Sequence, residues 1–153
     1  MTTTTGSRVL RGLTATGVLL SASVHLQLWA QGVRVVPFIG EAFMLNAIGG
    51  LVLGLLVLTW WKPWPLIGAV LFGLGTLGAF AASVTVGLLG FREQAAGVPQ
   101  ALAAGAEIAA VVFGIAALVA ERRPPATPVD RHQPHVDRHH PHGVLNTSPV
   151  HRS

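Results

Sequence analysis

A chain of 153 residues is long enough for one domain. Its charged residues amount to only 10%, against about 25% in a soluble domain, while hydrophobic residues reach 51% and the mean hydropathy is +0.58. With 18 Gly, no Cys and a net charge of only +4, these figures exclude a soluble globular enzyme, a disordered chain and a disulfide scaffold, and leave a small multi-pass membrane protein.

A bilayer core about 30 Å thick needs about 20 apolar residues of helix, and four segments qualify. Residues 1–12 form a short N-terminal flank carrying Arg8 and Arg11. The first span covers 13–30. Reading it as a cleaved signal peptide with a site at Ser21-Ala22-Ser23 would leave only about ten apolar residues before the cut, so it is read as retained. The second span covers 38–59 and follows Pro37, whose missing N–H suits a first helical turn. Trp60-Trp61-Lys62-Pro63-Trp64-Pro65 then makes a tight turn with its indoles at headgroup level. The third span covers 66–89, stopped by Gly90. The fourth covers 100–120, from Pro99 to the closing Glu121-Arg122-Arg123-Pro124-Pro125.

Short connections between four spans imply an all-α, up-down-up-down four-helix bundle. Arg8, Arg11, Lys62, Arg122 and Arg123 fall on one side, and only Arg34 and Arg92 on the other. That asymmetry puts both termini in the cytoplasm and the protein in the plasma membrane. Small residues recur four apart at Gly50 and Gly54, Gly78 and Ala82, Ala101 and Gly105, and Ala106, Ala110 and Gly114. Such spacing lets helices approach closely, within the bundle or in a homo-oligomer or larger membrane complex. The run Gly73-Leu74-Gly75-Thr76-Leu77-Gly78 has the spacing of a dinucleotide fingerprint, but it lacks the preceding strand the motif needs and reads as packing glycine. The expected partner is the lipid bilayer. Nucleic acid is not, because the Arg residues flank apolar segments and form no basic stripe.

Residues 121–153 combine Pro, His, Arg and Asp with no apolar periodicity and are expected to be disordered. They contain a tandem heptad, Val129 to His135 and Val136 to His142. Its His132, His135, His139, His140 and His142 form a weak candidate for metal binding, since the prolines prevent a helix that would align them.

Inside the spans the ionisable groups are His25, Glu41 and Glu107, with Asn46 as a neutral companion. At 1.5 Å per residue, His25 lies about 8 Å and Glu41 about 5 Å below their outer ends, and Asn46 and Glu107 about 12 Å. All four occupy the outer half, beneath Arg34 and Arg92. Ser21, His25 and Trp29 share a stripe, as do Ala103, Glu107 and Val111, while Thr76, Ser83 and Thr85 offer hydroxyls from the third span. Glu41 and Asn46 stand about 140° apart around their helix and cannot both point straight inward.

Buried ionisable groups mark functional sites by default, and several uses stay open here. His25 can pair with either Glu, with Arg92 or Arg34 neutralising the other, in a network that fixes helix register. One imidazole with Glu41 and Glu107 is an ordinary ligand set for a divalent metal. The same groups can bind and release protons or hold a cationic substrate. His25 is also the one possible axial haem ligand within the spans, with Met44 a weak companion. The cofactor, if any, is unknown at this point.

At His25-Leu26-Gln27-Leu28-Trp29, with Arg34, Pro37-Phe38-Ile39-Gly40, Phe43 and Asn46, the chain resembles a group of uncharacterised small four-span actinobacterial integral membrane proteins. The resemblance returns at Ser83-Val84, Gly87-Leu88, Gly90-Phe91-Arg92-Glu93 and Glu107. It covers roughly 13–120 and implies a four-span membrane fold without an activity. Small multidrug exporters also have four spans, but their membrane carboxylate lies in the first one, where this chain has His25 and no acid. The expectation is therefore an accessory or small-ligand-binding membrane protein, not an enzyme, with His25, Glu41, Asn46, Arg92 and Glu107 as its polar cluster. The alternative is an oligomeric proton-coupled transporter using Glu41 and Glu107.

Overall fold

Proline and glycine set the helix ends. The computed structural model describes residues 5–87 and 97–122; among these lie four α-helices, one 3-10 turn at Val33–Val35, and no strand. The helices are α1 (Thr5–Ala30), α2 (Ile39–Thr59), α3 (Trp64–Thr85) and α4 (Val98–Arg122). All four are long and apolar enough to cross a membrane, which is compatible with a small multi-pass membrane protein. Arg92 and the tail histidines lie outside the described residues.

Three ends differ from the apolar runs. α1 starts at Thr5, ahead of the run that begins at Leu13, because polar residues continue its buried face: Ser7 and Arg11 are both 1% exposed. α3 starts at Trp64 with Pro65 in its first turn, where no N–H is needed, and it stops at Thr85, short of Gly90. There Gly87 takes φ +81° and donates its N–H to the Ala82 carbonyl at 3.0 Å. This left-handed closure is one that glycine adopts without strain.

Each helix buries a seam with steps of three and four, the spacing that keeps one edge facing its neighbours. On α1 the seam is Ser7, Arg11, Thr14, Val18, Ser21 and His25. On α4 it is Ala103, Glu107, Ala110, Gly114 and Ala117. Small residues let these seams close. A Cβ added at Gly17 would stand 2.7 Å from the Ala106 carbonyl oxygen and 2.9 Å from the Ala110 nitrogen, so α1 and α4 touch backbone to backbone. Gly73 brings α3 as near to α4, with Glu107 O 3.1 Å from its Cβ position. Gly50 and Gly54 seat α2 on Ala22 and Leu19 of α1.

Gly78 and Gly105, by contrast, meet nothing within 4 Å, nor does Gly75, and Ala101 is exposed. Four-residue spacing thus marks a stripe without fixing its direction; half of the expected small-residue pairs face outward. Large apolar side chains also face outward, among them Leu45 (73% exposed) and Leu71 (63%). Small and polar residues inside with large apolar ones outside reverse the order of a water-soluble fold and suit a lipid surround.

Candidate functional site

The polar half of the α1 seam meets α4 at Ser21. Its hydroxyl donates to Glu107 Oε1 at 2.9 Å, and Glu107 is only 2% exposed. One turn on, His25 Nδ1 lies 2.8 Å from the Ser21 carbonyl oxygen. A carbonyl only accepts, so Nδ1 carries the hydrogen and donates it. The Ser21 hydroxyl lies 3.4 Å from the same nitrogen but gives its own hydrogen to Glu107. Ser21 therefore stands between imidazole and carboxyl, and Nδ1 is not placed to take the serine proton. The His25 ring rests against Phe43 of α2, with centroids 5.0 Å apart and a 51° tilt.

His25, Phe43 and Glu107 line a cavity of about 120 Å3 to which all four helices contribute. Its polar lining is His25, Asn46, Thr76, Ser83, Gln100 and Glu107, set among alanines and the rings of Phe43 and Phe80. Thr76 gives its hydroxyl hydrogen to the Phe72 carbonyl at 2.7 Å, which leaves an oxygen that can accept. Asn46 Oδ1 is buried and has no hydrogen-bond partner among the described residues. The cavity thus offers a buried carboxyl and an unmatched amide oxygen to a donor.

Glu41 is elsewhere: it sits exposed in the first turn of α2 and does not line the cavity. Of the two α2 residues that could not both face inward, Asn46 is the one that does. Among the described residues no three of His, Asp or Glu converge into a group able to hold a metal, so His25, Glu41 and Glu107 are not brought together as a ligand set. Arg34 is exposed and forms no ion pair among the described residues, where the single ion pair is Arg11 with Glu121.

That pair does more than flank the apolar runs. Arg11 Nε and Nη2 bind Glu121 Oε1 and Oε2 at 2.6 and 3.1 Å. Nη1 donates to the Val57 and Trp60 carbonyls at 3.2 and 3.1 Å, and Nη2 to the Lys62 carbonyl at 2.8 Å. Every N–H of the guanidinium is used. Two of these oxygens belong to the C-terminal end of α2, which lacks intrahelical donors and carries partial negative charge. Trp61 adds its ring, 5.4 Å from the Arg11 guanidinium carbon and 5.6 Å from that of Arg8. The clamp joins the start of α1, the α2–α3 turn and the end of α4.

Comparisons with known protein families, with curated proteins and with solved structures return no match.

Proposed function

We propose that this is a multi-pass plasma-membrane protein, an up-down-up-down bundle with both termini cytoplasmic, that binds a small organic amine in the cavity between His25 and Glu107. It acts as a binding or accessory protein and not as an enzyme. The apolar outer surface supports the membrane location, and Arg8, Arg11, Lys62 and Arg122 at one end support the orientation.

The observation that carries the ligand reading is that, among the described residues, Glu107 receives one serine hydroxyl while Asn46 Oδ1, in the same cavity lining, receives none. A carboxyl buried in a low-dielectric interior is costly unless paired, and Ser21 supplies one hydroxyl. An amine supplies N–H donors to Glu107 and to Asn46 Oδ1 at once, and its carbon body suits the Phe43 and Phe80 walls. A cavity of about 120 Å3 is near the size, on the order of 150 Å3, that takes a benzene-sized molecule. Proton-coupled transport through paired carboxylates would need Glu41 beside Glu107, and Glu41 is exposed on another face.

Benzylamine and benzyl alcohol make the test, titrated into the purified protein and followed by calorimetry. Benzylamine should bind more tightly than the alcohol, and Glu107→Gln should weaken it about 10- to 100-fold, the loss of a charge-assisted hydrogen bond. Glutamine keeps the shape and still accepts from Ser21, so the fold is retained. Equal affinity for amine and alcohol, or an undiminished amine affinity in Glu107→Gln, would sink the reading.

A further inference from the structure

We infer that the cavity opens sideways into lipid between α2 and α3, and that its ligand is a membrane-dissolved amphiphilic amine. The inference deepens the amine-binding reading and rests on it.

Three sides of the cavity are closed by backbone contact or hydrogen bonds. Gly17 holds α1 on α4 at Ala106 and Ala110, and the Ser21–Glu107 bond joins them again at cavity level. Gly73 holds α3 on α4 beside Glu107. Gly50 seats α2 on Ala22 of α1. The fourth side is different. α2 and α3 are the most sparsely packed of the neighbouring helix pairs, and their close approaches lie toward the tryptophan-rich turn: Leu53 against Gly68, and Phe72 against Gly49 and Gly50. Farther from that turn, Phe43 and Asn46 of α2 and Phe80 and Ser83 of α3 line the cavity.

Ala42 on α2 and Ala79 on α3 show where it opens. Both line the cavity and both are exposed, so at these two residues the cavity wall is also the outer surface. Their methyl groups are too small to bar the gap. The surface beside them is apolar, with Leu45 73% and Ile48 55% exposed on α2, which makes lipid the neighbouring medium. An amine arriving from the bilayer would enter head first, bring its N–H donors to Glu107 and Asn46 Oδ1, and leave its tail between the helices. The cavity then sets the size of the head and imposes no limit on the tail.

The decisive experiment uses the protein in lipid nanodiscs with labelled benzylamine as the probe and dodecylamine as competitor. An enclosed space of about 120 Å3 cannot hold a twelve-carbon chain, whereas a side opening accepts it. Dodecylamine should displace benzylamine, dodecanol should not, and Ala79→Trp, which puts an indole in the gap, should weaken dodecylamine about tenfold. If benzylamine binds and dodecylamine fails to displace it, the opening is wrong and the amine site stands. If benzylamine itself does not bind, the amine reading falls and this inference with it. An independent measurement covers a Trp variant that fails to fold. The chain has no Cys, so a nitroxide can be placed at Ala42→Cys or Ala79→Cys alone. Collisions dominated by lipid-dissolved oxygen support the opening, and collisions dominated by an aqueous nickel chelate overturn it.

Discussion

Arg11 and Glu107 are both almost fully buried, at 1% and 2% exposure, and they occupy opposite ends of the same four-helix interior. Their surroundings are opposites. Arg11 meets an acceptor with every N–H it has and adds a tryptophan ring. Among the described residues Glu107 meets one serine hydroxyl, and it lines a cavity able to hold a small molecule together with an amide oxygen that lacks a donor there. A buried charge whose partners are all supplied by the chain is part of the scaffold. A buried ionisable group with few partners among the described residues, such as Glu107, leaves room for a ligand. The difference separates a clamp from a site more sharply than burial does.

Removing the Arg11 side chain should have the largest effect on the fold. Arg11→Ala leaves Glu121 and three carbonyls without their donor, and breaking a buried pair this way costs about 3–5 kcal/mol. Arg11→Lys should recover part of that, since an ammonium has three donors for five acceptor contacts. Glu107→Gln should change stability by less than about 1 kcal/mol, because a hydrogen bond replaces a hydrogen bond. Unfolding free energies in mixed detergent micelles test the contrast. A stable Arg11→Ala or a collapsed Glu107→Gln would invert the roles assigned to the two ends.

A second contrast concerns glycines. At Gly17 even an alanine must displace the Ala106 and Ala110 backbone, and overpacking of this kind costs about 1–3 kcal/mol. Gly78 and Gly105 meet nothing within 4 Å, so alanine there should be neutral or stabilising by about 0.5–1 kcal/mol through lost chain entropy. Leucine at Gly105 then sharpens the question of assembly. If it leaves the sedimentation behaviour in detergent unchanged, the outward small-residue stripe faces lipid; a shift in oligomeric state would make it a seam between copies.

The four helices were legible because a bilayer imposes a length and a composition that nothing else in a short chain imitates. His25, Asn46 and Glu107 stood out for a related reason: polar groups are conspicuous in apolar runs. Depth alone, however, does not fix a face. Glu41 lies within the same outer half by rise per residue, yet the α2 seam through Ala47, Gly50, Gly54 and Val57 extends back to Phe43 and Gly40 and passes Glu41 by. Arg11 reads from the sequence only as a topological flank, because it stands ahead of an apolar run. The signal lay in its spacing, since Ser7, Arg11 and Thr14 continue the α1 seam of Val18, Ser21 and His25 past the end of that run. The cavity had no sequence signature, because its volume depends on how far α2 and α3 separate.

The smallest expected effect tests how much of the clamp is shape and how much is charge. Trp61 is 47% exposed, yet two guanidinium carbons lie within 5.6 Å of its ring centre. Cation–π contacts at such accessible sites are worth about 0.5–1 kcal/mol, so Trp61→Leu should lower stability by about that amount. Trp64→Leu, at a residue 69% exposed, should lower it less. The backbone carbonyls that bind Arg11 do not depend on the indole, so the Trp61 loss should add to that of Glu121→Gln unless the ring also orients the guanidinium. A double-mutant cycle decides: a coupling energy near zero assigns the clamp to hydrogen bonds, whereas coupling of about 0.5 kcal/mol or more makes the tryptophan part of what holds Arg11 in place.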